Sequence, residues 1–182
     1  VLAYTEWTNA TKNSVPSSSQ NYSFMFRYQF SHMYFRYFMW NFSGRQNDIQ
    51  SHGGAISGNW ISGIGFLDNM RLSDQDAKPA FLKDNRGTTY YFLLPLLLGI
   101  IGIIYQFKAD KKNLFVVALI FVFTGIAIAF YLNMTPYQVR ERDYVYLGSF
   151  FAFAIWIGLG VIGFYLIMRK YIKHKFLIYG TG

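Results

Sequence analysis

Three apolar stretches dominate the C-terminal half of the chain: residues 90–107, 114–132 and 147–168. None of them contains Asp, Glu, Lys, Arg or His. Each approaches the ~20 residues that an α-helix needs to cross ~30 Å of hydrocarbon. The pattern therefore predicts an all-α integral membrane protein with a three-span domain over residues 90–168. Pro95 lies near the start of the first stretch, where a missing N–H breaks few helical hydrogen bonds. Small residues recur four apart at Gly125 and Ala129, at Gly148 and Ala152, and at Ala154 and Gly158. That spacing suits close helix contact, although apolar segments also produce it by chance.

The pattern upstream is different. Residues 24–42, FMFRYQFSHMYFRYFMWNF, are rich in aromatics but carry Arg27, His32 and Arg36. At 100° per residue, Gln29, His32 and Arg36 share one helical face with Ser43 nearby, while Arg27 and Ser31 lie on the other side. A central Arg costs ~2.5–3.5 kcal/mol even on insertion scales, so this is not a simple span. Two placements fit: a helix lying in the lipid–water interface, or one packed in the bundle with a polar stripe. Arg27, His32 and Arg36 then either face a cavity that handles an anionic lipid or snorkel to headgroups. Residues 43–89 are Gly-, Asn-, Asp- and Ser-rich loop chemistry, longer than ordinary connections. Trp60, Ile61, Ile64, Phe66 and Leu67 are candidate anchors of that loop on the protein or membrane surface. Residues 1–23, with Pro16 and three serines at Ser17, Ser18 and Ser19, read as a polar linker. The chain opens on Val1 without a basic-then-apolar signal segment, which suggests an internal or processed start with further sequence upstream.

Composition agrees with a membrane setting. Charged residues are 14%, below the ~25% of soluble domains, and aromatics reach 21%. The net charge of +8 is bunched beside apolar runs, so it argues for membrane orientation and against nucleic acid as a partner. Lys108, Lys111 and Lys112 between the first two stretches, with Arg169, Lys170, Lys173 and Lys175 after the third, oppose the single acid Asp110. The positive-inside rule puts residues 108–113 and the basic tail 169–182 in the cytoplasm. Residues 1–89 and 133–146 then face outward. Lys78, Lys83 and Arg86 run against this count but belong to a long segment, where the rule loses force. The absence of Cys excludes disulfides and thiolate chemistry.

Candidate chemistry concentrates before the third stretch, in TPYQVRERDYVYLG. Arg140, Glu141, Arg142 and Asp143 form an unbroken charged run at a membrane boundary. Two guanidiniums suit a phosphate or pyrophosphate, and the carboxylates Glu141 and Asp143 suit orienting them or accepting a proton. A salt-bridged loop joining two helix ends explains the same run. A weaker group is Arg45, Gln46, Asn47 and Asp48, with His52 beside Gly53 and Gly54. Arg45, Asn47 and Asp48 suit sugar or acceptor contact, with Trp40 or Trp60 as a stacking surface; a solvated turn capping a helix is the plainer explanation. Asp48 and His52 alone are a weak metal signal, so no metal site is assigned and no cofactor is expected; a divalent metal stays open as an alternative that these residues do not support. His174 in the basic tail suits lipid headgroups. No P-loop, GxGxxG, GxSxG or Cys/His pattern occurs. Asn-x-Ser/Thr triplets start at Asn9, Asn21, Asn41 and Asn133, and matter only in a cell that glycosylates them.

Three stretches together carry a resemblance: HMYFRYFMWNFSGRQNDIQSHG with GNWISGI, then YYFLLPLLLGIIGIIYQFKADKKN, then TPYQVRERDYVYLGSFFAFAIWIGLGV. Over residues 24–168 the chain resembles a family of large bacterial inner-membrane proteins long labelled a domain of unknown function. That family is similar to the eukaryotic transmembrane O-mannosyltransferase of the ER lumen. The resemblance implies the C-terminal part of a GT-C-type glycosyltransferase in the bacterial inner membrane. Such an enzyme moves a sugar, mannose being one candidate, from a polyprenyl-phosphate donor to an extracytoplasmic acceptor, a protein in the nearest case. The catalytic acid of such enzymes lies on an early outward loop, which falls upstream of Val1. On this reading Arg140 and Arg142 hold the donor phosphate, and the sugar carbon is displaced directly. The alternative is a non-catalytic structural subunit of a larger inner-membrane complex. A transporter fits less well, because the apolar stretches lack ionisable groups.

Overall fold

The computed structural model describes residues 2–11, 15–74, 77–83, 85–137 and 142–179. The chain is mostly helical. After a short helix α1 (Leu2–Thr8), helix α2 (Ser18–Phe24) runs on through a wide π-helical stretch (Met25–Phe35) into α3 (Arg36–Phe42). These three form one continuous helix. Its start is a capping box: Ser17 Oγ accepts from Gln20 N–H and Gln20 Oε1 accepts from Ser17 N–H. The serines that read as linker composition are thus a helix start, because a Ser followed three residues later by Gln satisfies two orphan donors reciprocally.

Residues 43–93 are largely irregular, tied together by a two-residue ribbon. Strand β1 (Gly44–Arg45) pairs antiparallel with β2 (Thr89–Tyr90), Gly44 opposite Tyr90, and Trp60 bridges to Arg45. Between the strands lie α4 (Gly65–Leu72) and α5 (Ala80–Lys83). The first apolar helix, α6, runs from Leu94 to Ala109, four residues later than the apolar run itself begins. Pro95 stands in its first turn, and Phe92 and Leu93 before it adopt left-handed backbone, with φ of 52° and 60°. The turn reverses the chain from the ribbon into the helix, and the missing Pro N–H suits a helix start and no interior position.

Asp110 alone separates α6 from α7 (Lys111–Val122). Its carboxylate accepts from the N–H groups of Lys112 and Asn113 at 3.0 and 3.1 Å. This cap draws Lys111, Lys112 and Asn113 into the helix, ahead of the apolar run. Helix α7 continues through a π turn (Phe123–Ala127) into α8 (Ile128–Leu132), and a 3₁₀ turn (Asp143–Tyr146) leads into α9 (Leu147–Tyr179). Two helical stretches, Lys111–Leu132 and Asp143–Ile172, are long and apolar enough to cross a membrane, while Leu94–Ala109 is apolar but shorter. Only 17% and 28% of their most apolar windows are buried within the protein, so most of their apolar side chains face outward.

Helices α6 and α9 run parallel in intimate contact. A Cβ on Gly99 would strike the Phe153 ring, one on Gly102 the carbonyl of Trp156, one on Gly160 the carbonyl of Leu98, and one on Gly163 would press on Ile101 and Tyr105. Four glycines therefore let two backbones touch. Trp156 Nε1 donates to Gln106 Oε1 at 2.7 Å across the same interface, satisfying both buried groups. Of the small-residue pairs, Gly125 abuts the Tyr34 ring, Gly148 abuts Thr124, and Ala129 and Ala152 are buried. Ala154 is exposed, and nothing stands within 4 Å of a Cβ on Gly158.

The long helix 18–42 lies against the upper part of this bundle. Phe38 and Phe42 pack on Phe150 and Phe153, and Tyr34 meets Phe121 and Tyr146 edge-on. Because α6 and α9 descend together and α7 returns, Lys108–Lys112, Arg169 and Lys170 gather at one end. The described residues of 43–93 and 133–146 gather at the other.

Candidate functional site

The polar stripe of the long helix is turned inward at the loop end. Gln29, His32, Arg36 and Ser43 are all buried, while Arg27 and Ser31 are exposed. Arg36 Nε donates to the His32 carbonyl at 2.9 Å, and its Nη1 donates to the Gly58 carbonyl at 3.0 Å. The guanidinium also rests over the rings of Tyr37 and Trp40, 4.5 and 4.9 Å from their centroids. His32 Nε2 lies 3.1 Å from the Ser51 carbonyl, so that nitrogen carries the ring proton. Burial, reinforced by the Arg36 charge, pushes His32 down to about 3. The imidazole is therefore neutral and acts as a fixed donor.

The loop opposite is organised by its own amides. Asn47 is fully buried; its Oδ1 accepts from Gly58 N–H at 2.7 Å and its Nδ2 donates to the Ile56 carbonyl at 2.9 Å. Gln46 donates to the Ala55 carbonyl and accepts from the Asn59 backbone and side chain. Gly58, at φ +59°, has the Ile49 carbonyl 2.5 Å from where a Cβ would stand. Arg45 is half-buried; its Nε donates to the Gly87 carbonyl at 2.8 Å, and its guanidinium lies 5.5 Å from the Trp40 ring. Asp48 is exposed and accepts from Asn85 Nδ2 at 2.9 Å. Of this predicted group, Asn47 builds the loop, and Arg45 and Asp48 stay at its edge.

Of the charged run before α9, Arg140 and Glu141 lie outside the described residues. Arg142 and Asp143 are exposed, and Asp143 Oδ1 accepts from Tyr144 N–H at 3.0 Å at the head of the 3₁₀ turn. Next to this segment, Tyr137 donates its hydroxyl to both oxygens of Glu6, at 2.8 and 2.9 Å, and its ring lies tilted against His52 with centroids 5.5 Å apart. The hydrogen bond to Glu6 raises the Tyr137 phenol. Trp7, one residue on, fits under Gly53 (φ +94°) and against His32. Helix α1 is thereby tied to both loops. Sequence reasoning missed it because Glu6 and Trp7 lie in a stretch with polar-linker composition and make their contacts more than 20 residues away.

Between α1–α2 and the segment after α8 opens a cleft of about 940 Å³. Tyr4, Tyr22, Phe24, Met25, Phe130 and Tyr131 give it ring and thioether walls. Polar groups enter from Asn21, which accepts from Tyr4 Oη at 2.6 Å, and from the Gln29–Asn133 side-chain hydrogen bond. Thr135 and Pro136 complete one wall, and the chain passes from there to Tyr137 and Arg142. A second cavity of about 480 Å³ lies between α4, α5 and the ribbon. On its rim Asp68 accepts from the N–H groups of Ser62 and Gly63 at 2.7 and 3.0 Å, so that carboxylate fixes a turn. Among the described residues, no three His, Asp or Glu side chains converge to hold a metal.

Compared with known proteins, the chain matches no family model, no curated protein and no solved structure.

Proposed function

We propose that this chain is part of a membrane glycosyltransferase that draws a sugar from a polyprenyl-phosphate donor for an extracytoplasmic protein acceptor. In this reading α6, the α7–α8 helix and α9 cross a bacterial inner membrane, with Lys108–Lys112 in the cytoplasm and the loop end outside. The one observation that supports it is the cleft of about 940 Å³ whose lining runs to Pro136. Its walls are aromatic and apolar, as an isoprenoid chain requires, with amides at one side for a polar head. Pro136 on its wall is six residues from Arg142, a reach of about 20 Å at most for an extended chain.

Arg140 and Arg142 hold the donor phosphate, and Glu141 and Asp143 orient them. The acceptor hydroxyl oxygen attacks the sugar carbon as its proton passes to a carboxylate base such as Glu141 or Asp143, the bond to the phosphate oxygen breaks, and the arginines stabilise the charge left on the lipid phosphate. Asp48 and Arg45, at the loop edge, are the sugar or acceptor contacts.

The test is replacement of Arg140 and of Arg142 by Ala in the membrane-embedded protein, with transfer measured from a polyprenyl-phosphate sugar. Each change is expected to lower turnover by roughly 10²–10³-fold, as for loss of one charge-stabilising donor. Unchanged turnover and donor affinity would remove the assignment. Loss of folding or of assembly without a kinetic effect would favour a structural subunit of a larger complex.

A further inference from the structure

Helix α4 carries its apolar residues outward. Phe66 and Met70 are 74% and 73% exposed, and Ile64 and Leu67 each 43%. The helix cannot roll to hide them. Asp68 and Leu72 are buried on its opposite face, with Asp68 bound to the Ser62 and Gly63 N–H groups. Arg71 donates to the Trp60 carbonyl, and its guanidinium lies 3.8 Å from the Trp60 ring centroid.

The root of α4 also fixes where this face points. A Cβ on Gly63, at φ +78°, would stand 3.0 Å from the Phe92 ring and 3.4 Å from the Tyr90 ring. Tyr90, Tyr91, Phe92 and Leu94 are themselves exposed and lead directly onto the outward apolar side of α6. One apolar surface thus continues from α4, across a belt of aromatic rings, onto the outer surface of a bundle helix. Aromatic rings at such a boundary are the mark of the lipid–water interface, and an amphipathic helix joined to it lies in the membrane plane.

We propose that α4 is an in-plane membrane anchor whose Phe66, Leu67 and Met70 side chains enter the outer interface of the bilayer. The anchor holds the loop around Asn47 and Gly58 at a set height over the membrane surface. This inference rests on the reading that α6 to α9 cross the bilayer.

Because the chain has no Cys, single labels can be placed without background. Phe66→Cys and Met70→Cys are labelled with a nitroxide, and so are Ile104→Cys and Phe115→Cys on the bundle exterior and Lys108→Cys at the turn. The proteins are reconstituted in phosphatidylcholine–phosphatidylglycerol vesicles, and collision with oxygen is compared with collision with a water-soluble nickel chelate. All five positions are exposed, so the substitutions leave the packing intact.

The expected result is oxygen-favoured collision at 66, 70, 104 and 115, and nickel-favoured collision at 108. Nickel-favoured collision at 66 and 70 with oxygen still favoured at 104 and 115 would overturn the anchor alone. Nickel-favoured collision at 104 and 115 as well would overturn the membrane reading and the anchor with it. Immobile labels at 66 and 70, shielded from both reagents, would mean that a second protein surface covers α4, and would also overturn the proposal.

Discussion

The side-chain oxygen of Asn47 accepts from the N–H of Gly58 at 2.7 Å, and this bond closes the loop that receives the Arg36 guanidinium. Asn47 and Arg36 thus fix the same residue from opposite sides, one through its N–H and the other through its carbonyl. Asn47→Ala leaves the Gly58 N–H and the Ile56 carbonyl without their side-chain partner in a buried site. The expected loss of stability is about 1–3 kcal/mol, read as a lower melting temperature in detergent and faster proteolysis within residues 46–59. If Asn47 contacted a sugar instead, its replacement would lower transfer while melting stayed unchanged.

His32 makes stability depend on pH. Its folded value is held down to about 3 from the ordinary 6.5, first by burial and then by the Arg36 charge. The unfolded chain therefore binds a proton below about 6.5 that the folded chain refuses. The His32 contribution is complete above that pH and is lost as pH falls toward 3, by up to ~1.4 kcal/mol per pH unit. Denaturant melts of the protein and of His32→Gln at pH 7, 6 and 5 check this. The native protein should lose stability more steeply than the variant; parallel slopes would show that the buried imidazole does not carry the effect.

The glycine crossing of α6 and α9 gives a third stability prediction. A methyl group on Gly102 or Gly160 meets backbone rather than a movable side chain. Gly102→Ala and Gly160→Ala are each expected to cost about 1–3 kcal/mol by overpacking. The pair should cost less than the sum of the two, because one separation of the helices relieves both. Gly158→Ala, with open space around it, should not lower the melting temperature and should raise it slightly through helix propensity. Thermal melts of the four variants in the same detergent decide it.

The three apolar helices, two of them long enough to cross a membrane, and the polar stripe were legible because each rests on a pattern in the chain. Apolar runs near twenty residues and Gln29, His32 and Arg36 at helical spacing are visible in the residues alone. The helix-packing glycines were only half legible. Gly125, Ala129, Gly148 and Ala152 stood out at spacing of four, but Gly99 and Gly102 on one helix, and Gly160 and Gly163 on the other, are three apart and meet the facing helix over a sequence distance that no local pattern links. Loop chemistry misled more. Composition cannot tell an exposed Asn from one like Asn47 that satisfies a buried backbone, nor a Ser-rich linker from the capping box at Ser17. The Glu6–Tyr137 and Trp7–Gly53 contacts, like the cleft beside them, exist only once distant segments meet.

The account depends most on the two ends of the bundle lying on opposite sides of a membrane. Its direct test is labelling of Lys111→Cys and Asp143→Cys in intact cells with a maleimide that does not cross membranes. The account predicts that Asp143→Cys reacts from outside and that Lys111→Cys reacts only after permeabilisation. Reaction of Lys111→Cys in intact cells, with Asp143→Cys protected, would contradict it.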